Sequence, residues 1–218
     1  MRFLTLVLLF VTGISVAQDP WKNIYSHHAW TARDKWQKPD ELIRYLNIVP
    51  GDKVADIGCH EGYMTFKLAK TVGLKGMVYA VDVQESQINK VKKRADENEL
   101  QQIKTIKGAN DNPHLPPDML DAAIILDTYH EIIHYDNVLQ HLKTALKKGG
   151  RLVICDPIAD ERRKFTRAQQ KSKHELSIEF VLADLRKAGF KILLQKDPFI
   201  DRTKGKGDKM WVIVAVKQ

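Results

Sequence analysis

From Pro39 onward the chain alternates two rhythms of apolar residues. Short apolar runs at KVADIG (Lys53 to Gly58), MVYAVDV (Met77 to Val83), QIKTIKG (Gln102 to Gly108), DAAIILD (Asp121 to Asp127) and RLVICD (Arg151 to Asp156) read as buried strands. Between them, apolar residues recur every three or four positions, the spacing of one helix face. Tyr63 to Val72 predicts a helix broken by Gly73 and Gly76, and Ser86 to Leu100 a charged helix with Ile88, Val91 and Ala95 on one side. Asn137 to Gly150 predicts a helix stopped by its glycine pair, and Ile178 to Phe190 another with a glycine stop. A short helix, Asp40 to Asn47, opens at Pro39 and ends at the Pro50-Gly51 turn. KILLQK (Lys191 to Lys196) and KMWVIVAVK (Lys209 to Lys217) are the last strands, joined without a helical pattern and so predicted as an antiparallel hairpin. This alternation predicts an α/β chain: a mainly parallel, doubly wound sheet with helices on both faces.

The first residues follow neither rhythm. Arg2, the apolar run Phe3 to Val11 and Ser15-Val16-Ala17 have the charge, apolar core and small-x-small ending of a secretory signal peptide cut before Gln18. An uncleaved anchor is the alternative, although the run is short for a bilayer span. The expected organisation is a leader over residues 1–17, a lid segment rich in Trp and His over 18–38, and one α/β domain over 39–218. Export to the periplasm or the medium follows from the leader.

With 218 residues, 44% of them hydrophobic, the chain can build one domain with a sizeable core. Loss of Arg2 with the leader takes the net charge from +8 to +7. Much of the excess lies in ERRKFTRAQQKSKHE, Glu161 to Glu175, which reads as a solvated loop. Attraction to an anionic membrane or an acidic ligand is the second reading. Aromatics are too sparse there to stack nucleic acid bases, so no nucleic-acid partner is expected.

In an open parallel sheet, ligands bind outside the carboxyl ends of the strands. The first run delivers Asp56, then the turn Gly58-Cys59-His60-Glu61-Gly62 into a helix. Such a glycine turn lets a ligand approach free backbone N–H groups. The second run ends at Asp82, an acid suited to the two hydroxyls of a ribose. The third leads into Asn110 and Asp111, and the fourth ends at Asp127.

VADIGCHEGYMTFKLA, VYAVDV, DAAIILDTYHEI and LKKGGRLVICD, in this order and spacing, resemble the motifs of class I S-adenosylmethionine-dependent methyltransferases, and among them the small-molecule enzymes related to ubiquinone and menaquinone biosynthesis. The resemblance runs from about Trp36 to Val216. It implies a Rossmann-like sheet of seven strands in the order 3-2-1-4-5-7-6, the last strand antiparallel. It implies S-adenosylmethionine as cofactor, a small-molecule acceptor and no required metal. On it, Asp56 and the turn from Gly58 through His60 to Gly62 border the methionine part of the cofactor. Asp82 takes the ribose, Val83 lies beside the adenine, and Asn110 and Asp111 lie at the adenine's polar edge. Asp127 to His130 sit where the methyl meets the acceptor, with His130 the first candidate base, Tyr129 and His134 next, and Asp127 orienting the site. Trp30 and Trp36 close over it, while His27 and His28 are expected at the surface. The family's turn reads G-x-G-x-G, and His60 replaces its middle glycine; a side chain there could crowd the cofactor. A non-catalytic S-adenosylmethionine- or nucleoside-binding protein on the same scaffold is the alternative that His60 favours. On this strand order Cys59 and Cys155 are two strand spacings apart, about 9 to 10 Å, so both are expected as free thiols.

DTYHEIIHYDN (Asp127 to Asn137) also contains a full H-E-x-x-H in His130, Glu131 and His134. On a helix it would be the signature of a zinc metalloprotease. A helix running through the segment would put His130, His134 and His141 on one face. Asn137 occupies the position where one extended zinc motif has glycine, and Glu161, spaced as a third ligand, lies beyond the fifth strand. Three fixed letters arise by chance far more easily than four motifs in register, so the protease is the remote reading.

Overall fold

The computed structural model describes residues 28–218. The leader over residues 1–17, the stretch up to residue 27 with His27, and the side chain of His28 lie outside the described residues. Helix α1 (His28–Gln37) and α2 (Pro39–Leu46) precede β1 (Lys53–Ile57). Then come α3 (Tyr63–Val72), β2 (Met77–Asp82), α4 (Glu85–Glu97), β3 (Ile103–Lys107), β4 (Leu120–Leu126), α5 (Tyr135–Ala145) and β5 (Leu146–Ile158). The chain closes with α6 (Arg167–Lys171), α7 (Ile178–Lys187), β6 (Phe190–Asp201), the turn of helix α8 (Thr203–Lys206) and β7 (Lys209–Lys217). The sheet has seven strands in the expected order, β3-β2-β1-β4-β5-β7-β6. β1 pairs in parallel with β2 and β4, and β7 is antiparallel to both β5 and β6.

The apolar runs are continuous because both faces of the sheet are covered. Val54, Ala80, Ile124 and Val153 point into one core with α1 to α4; Ala55, Tyr79, Ile125 and Ile154 point into the other with α5 and α7. On the first side Ile88, Val91 and Ala95 form the buried stripe of α4, as the periodicity predicts. On the second, α7 buries Ile178, Val181, Leu182 and Leu185. No described helix is long and apolar enough to cross a membrane.

Three elements differ from the sequence expectation. α5 does not reach Gly149-Gly150: it ends at Ala145, and Leu146 is already extended and paired with Leu120. The fully buried Leu146 gains more from the sheet and core than from another helical turn, and a bulge between Leu120 and Ala122 absorbs the extra residues. β6 continues beyond Lys196 to Asp201, with register shifts against β7 at this sheet edge. The basic stretch is not a plain loop. Thr166 and Gln169 form a capping box that starts α6, and the Gln170 side chain donates to the carbonyls of Arg162, Arg163 and Phe165. Arg162, Arg163 and Arg167 are held by Glu175, Asp197 and Asp184.

Candidate active site

A cavity of about 740 Å³ opens beyond the carboxyl ends of β1, β2 and β4. Its floor is built by the turn after β1. The N–H groups of Gly58 and Cys59 both donate to Val81 O, at 2.8 and 3.0 Å, folding the turn against β2. Gly58 has φ +72°, and a Cβ there would lie 2.3 Å from Thr128 Cγ2. Only glycine fits both the conformation and the space. His60 keeps the left-handed backbone of the residue it replaces, φ +47°, and its side chain is exposed at the cavity's edge.

Asp82 ties this turn to the next. Its Oδ2 accepts from His60 N at 2.9 Å and its Oδ1 from Gln84 N at 2.8 Å. Two backbone donors fix the carboxylate at the end of β2, where it borders the cavity. Asp56 is buried one strand away, accepting from Thr65 Oγ1 at 2.6 Å. Burial, only partly offset by that bond and by Arg33, pushes its carboxyl up to about 6.

Helix α1 covers one side. Trp30 packs on Tyr63 and Phe66, with ring centroids 6.1 and 5.7 Å apart, and Arg33 stacks 4.3 Å from the Tyr63 ring centre. Trp36 does not border this cavity: it flanks a smaller one of about 320 Å³ beside Arg202 and Lys206.

The far end holds a dense ionic network. Asp127, at φ +57°, has Oδ2 3.6 Å from Arg202 Nη1 and 4.0 Å from Arg33 Nη2. Arg202 is in turn clamped by two bonds to Asp208, at 2.7 and 2.9 Å. His130 lies in a 3-10 turn, Tyr129–Glu131. Its backbone N donates to Asp156 Oδ2 at 2.9 Å, and its Nδ1 lies 3.1 and 3.0 Å from the two Asp156 oxygens. Its Nε2 is 3.2 Å from Glu131 Oε1, which also contacts His174 Nδ1. Burial works against charge on His130, but Asp156 and then Glu131 and Asp127 prevail and raise its pKa. Among the described residues, two groups of donors could hold a metal: His130, Glu131 and His174, or Asp127, His130 and Asp156.

Of the residues expected at the cofactor, Asp56, Gly58, His60 and Asp82 border the cavity, as do Val83, Asn110 and Asp127. Gly62 instead caps α3 behind it, and Asp111 is exposed outside it. Of the expected acceptor-side groups, Tyr129 turns into the core, donating to Asp184 Oδ2 at 2.9 Å. His130 also lies behind the cavity wall, and Glu131 is the neighbour that borders it. The H-E-x-x-H does not form on one helix: Ile132 is extended, and His134 is the residue that starts α5. Cys59 and Cys155 are free and buried, as the strand order requires. Arg33, Arg202 and His174 escape a reading of strand ends, because they come from α1, the connection after β6 and a distant loop. Asp156 is missed by the sequence reading although it ends the apolar run RLVICD, the rule that selects Asp82 and Asp127.

Among curated proteins, the chain is 25% identical over 143 residues to the demethylmenaquinone methyltransferase of Geobacillus sp. (strain WCH70), covering 62% of this chain and 60% of the relative. It is 30% identical over 119 residues to the aklanonic acid methyltransferase DauC of Streptomyces sp. (strain C5), covering 54% and 53%. The chain thus spans about half to three-fifths of the length of these relatives. Its fold is similar to a SAM-dependent methyltransferase from Aquifex aeolicus, with TM-score 0.74, 24% identity and coverage of 92% and 99%. It is also similar to geranyl diphosphate C-methyltransferase from Streptomyces coelicolor A3(2), with TM-score 0.70, 14% identity and coverage of 84% and 76%. Residues 48–203 match the family described as Methyltransferase domain. With that match over most of the sheet and the cavity at its strand ends, the chain belongs to the methyltransferase-domain family.

Proposed function

We propose that this protein transfers the methyl group of S-adenosylmethionine to a small-molecule acceptor. The donor's nucleoside would lie beyond β2 and the acceptor beyond β4. The observation that carries this is Asp82, a nearly buried carboxylate fixed by two backbone N–H groups at the edge of the cavity. Each of its oxygens keeps a lone pair for a ribose hydroxyl. The cofactor of the family is S-adenosylmethionine, which supplies an electrophilic methyl group when bound. A cavity of about 740 Å³ leaves room for a nucleoside and a second small molecule.

The chain's own groups divide the remaining work. Asp56 meets the cationic end of the donor, and Trp30 with Arg33 on α1 excludes water from the transfer. Asp127, oriented between Arg33 and Arg202, and Glu131, backed by His130 and Asp156, align the acceptor. The His130–Glu131 pair is the basic group for a proton that an acceptor loses. The demethylmenaquinone and aklanonic acid methyltransferases among the relatives support a small-molecule acceptor.

Calorimetry of the full chain with S-adenosylmethionine, in the presence of a chelator, tests the reading. Saturable binding below about 1 mM, worth about −4 kcal/mol or better, is expected; no binding heat at millimolar ligand refutes it. Export through residues 1–17 belongs to the same proposal: a mature N-terminus at Gln18 supports it, and an intact Met1 in soluble cell extract overturns it.

A further inference from the structure

The side-chain cluster behind the acceptor end has a geometry that methyl transfer alone does not require. His130 Nδ1 faces both oxygens of the fully buried Asp156 at 3.0 and 3.1 Å, so that nitrogen carries a hydrogen. In the neutral imidazole Nε2 is then the lone-pair nitrogen, and it lies 3.2 Å from Glu131 Oε1. His174 Nδ1 points at the same oxygen from the opposite segment. Facing lone pairs on Nε2 and Oε1 repel unless a cation lies between them, either an added proton or a metal ion, and His174 Nδ1 is a third donor atom within reach of such an ion. A tetrahedral ion with bonds of about 2.0 to 2.1 Å spaces its ligands about 3.3 Å apart, close to the separation of Nε2 and Oε1, and the exposed His174 side chain, now in direct contact with Oε1, would draw back to receive it.

We infer that His130 Nε2, Glu131 and His174 Nδ1 form a site for one divalent transition-metal ion of the zinc class, with Asp156 as the carboxylate that orients His130. The site departs from the metal-free expectation and also from the sequence motif: its second histidine is His174, 40 residues beyond His134. Three separate observations support it.

The carboxylate–histidine pair behind the ligand is the arrangement that fixes the tautomer and raises the basicity of metal-bound imidazole. Next, His174 sits on an anchored segment. Its neighbour Glu175 is buried and takes two bonds from Arg162 and one from Ala159 N, while Gln170 pins the turn that leads to it. Finally, the charges balance: Glu131 and Asp156 offset a divalent ion, with both histidines neutral. The other donor group, Asp127, His130 and Asp156, is a poorer host. Asp127 already faces Arg33 and Arg202, and Asp156 would have to release His130. Two histidines and one carboxylate leave a fourth position open, and Glu131 borders the cavity. With the ion bound, an acceptor would meet a cation beside Glu131 in place of a proton acceptor.

The test uses the full chain stripped of metal and titrated with Zn²⁺ alone, without S-adenosylmethionine, so that it stands or falls apart from the methyltransferase reading. One equivalent is expected, and Co²⁺ should give the visible absorption of a four-coordinate N/O site. Glu131→Gln and His174→Ala, both at exposed positions and so compatible with folding, should each weaken binding at least tenfold. Asp156→Asn should weaken it by about 10- to 100-fold, as loss of an outer carboxylate does. His134→Ala should leave it unchanged. Absent binding, binding indifferent to Glu131→Gln and His174→Ala, or binding lost in His134→Ala each overturns the assignment.

Discussion

The two ends of the cavity are built by opposite strategies. At the proposed cofactor end, the groups that border the cavity belong to two adjacent strands and their turns: Asp56, Gly58 and His60 in and after β1, Asp82 and Val83 in and after β2. They are held largely by backbone hydrogen bonds within that pair of turns. At the acceptor end, side chains hold side chains. Arg33 comes from α1, Asp127 from β4, Asp156 from β5, His174 from the segment after α6, and Arg202 and Asp208 from the β6–β7 connection. On the proposed reading this end takes a cofactor shared across the family, and a local device serves. A wall braced from five segments, of which Arg33 and Asp127 reach the cavity, can be altered at any one of them without touching the turns after β1 and β2.

The comparison breaks most sharply at Arg202→Met. Arg202 is nearly buried, and its loss strands Asp208 and removes the closer partner of Asp127. Removing one member of a buried ion pair costs about 3 to 5 kcal/mol. Urea unfolding should report that loss, while S-adenosylmethionine affinity changes less than threefold. A large affinity loss would mean that the two ends are not independently held.

Asp56 gives the next effect, through pH. The folded state raises its pKa from 3.8 to about 6, so the native protein holds this proton more tightly than the unfolded chain. Its stabilising share is then complete below about pH 4, declines between about pH 4 and 6 and stays lost above, by up to about 3 kcal/mol. Asp56→Asn should flatten that part of the stability profile, measured by urea titration at each pH. For the wild-type chain, S-adenosylmethionine should bind more weakly as pH falls below about 6, because the donor's ammonium group needs the ionised carboxyl. A pH-independent affinity would remove Asp56 from the site.

Asp82→Ala should do the reverse of Arg202→Met. Loss of the ribose contacts, with the His60 and Gln84 N–H groups set free, should weaken S-adenosylmethionine about 100-fold, near 2.7 kcal/mol. Calorimetry that finds unchanged affinity would refute the ribose assignment. The smallest effect belongs to His60→Gly. Relief of a left-handed backbone, about 1 kcal/mol, nearly cancels the greater entropy of an unfolded glycine, about 0.5 to 1 kcal/mol. Thermal stability should therefore stay within about 1 kcal/mol of wild type. Tighter cofactor binding in this variant would mean that the imidazole crowds the ligand.

The same contrast explains what could be read from the sequence. The strands and the acids that end β1 and β2 are legible because they are local, whereas strand order, and with it the free cysteines, comes from the family resemblance. The end of α5 was misjudged because a pairing of Leu146 with Leu120, invisible to helical spacing, competes with the glycine stop. The order within Arg162 to Glu175 escaped because paired and solvated arginines look alike in a charge run. His174 could not be linked to Glu131 by any spacing rule, since 43 residues and a strand separate them. The H-E-x-x-H misleads for the converse reason: it assumes a helix, and Ile132 interrupts it.

Gly58 and Thr128 meet so closely that not even a methyl group fits between them. The turn after β1 and the end of β4 are therefore geared. Anything that widens the glycine turn must push Thr128, and through it its neighbour Asp127 and the start of the His130 turn. A shift of either turn would press on the other through this one contact. Gly58→Ala would jam this transmission before its side chain touched any ligand.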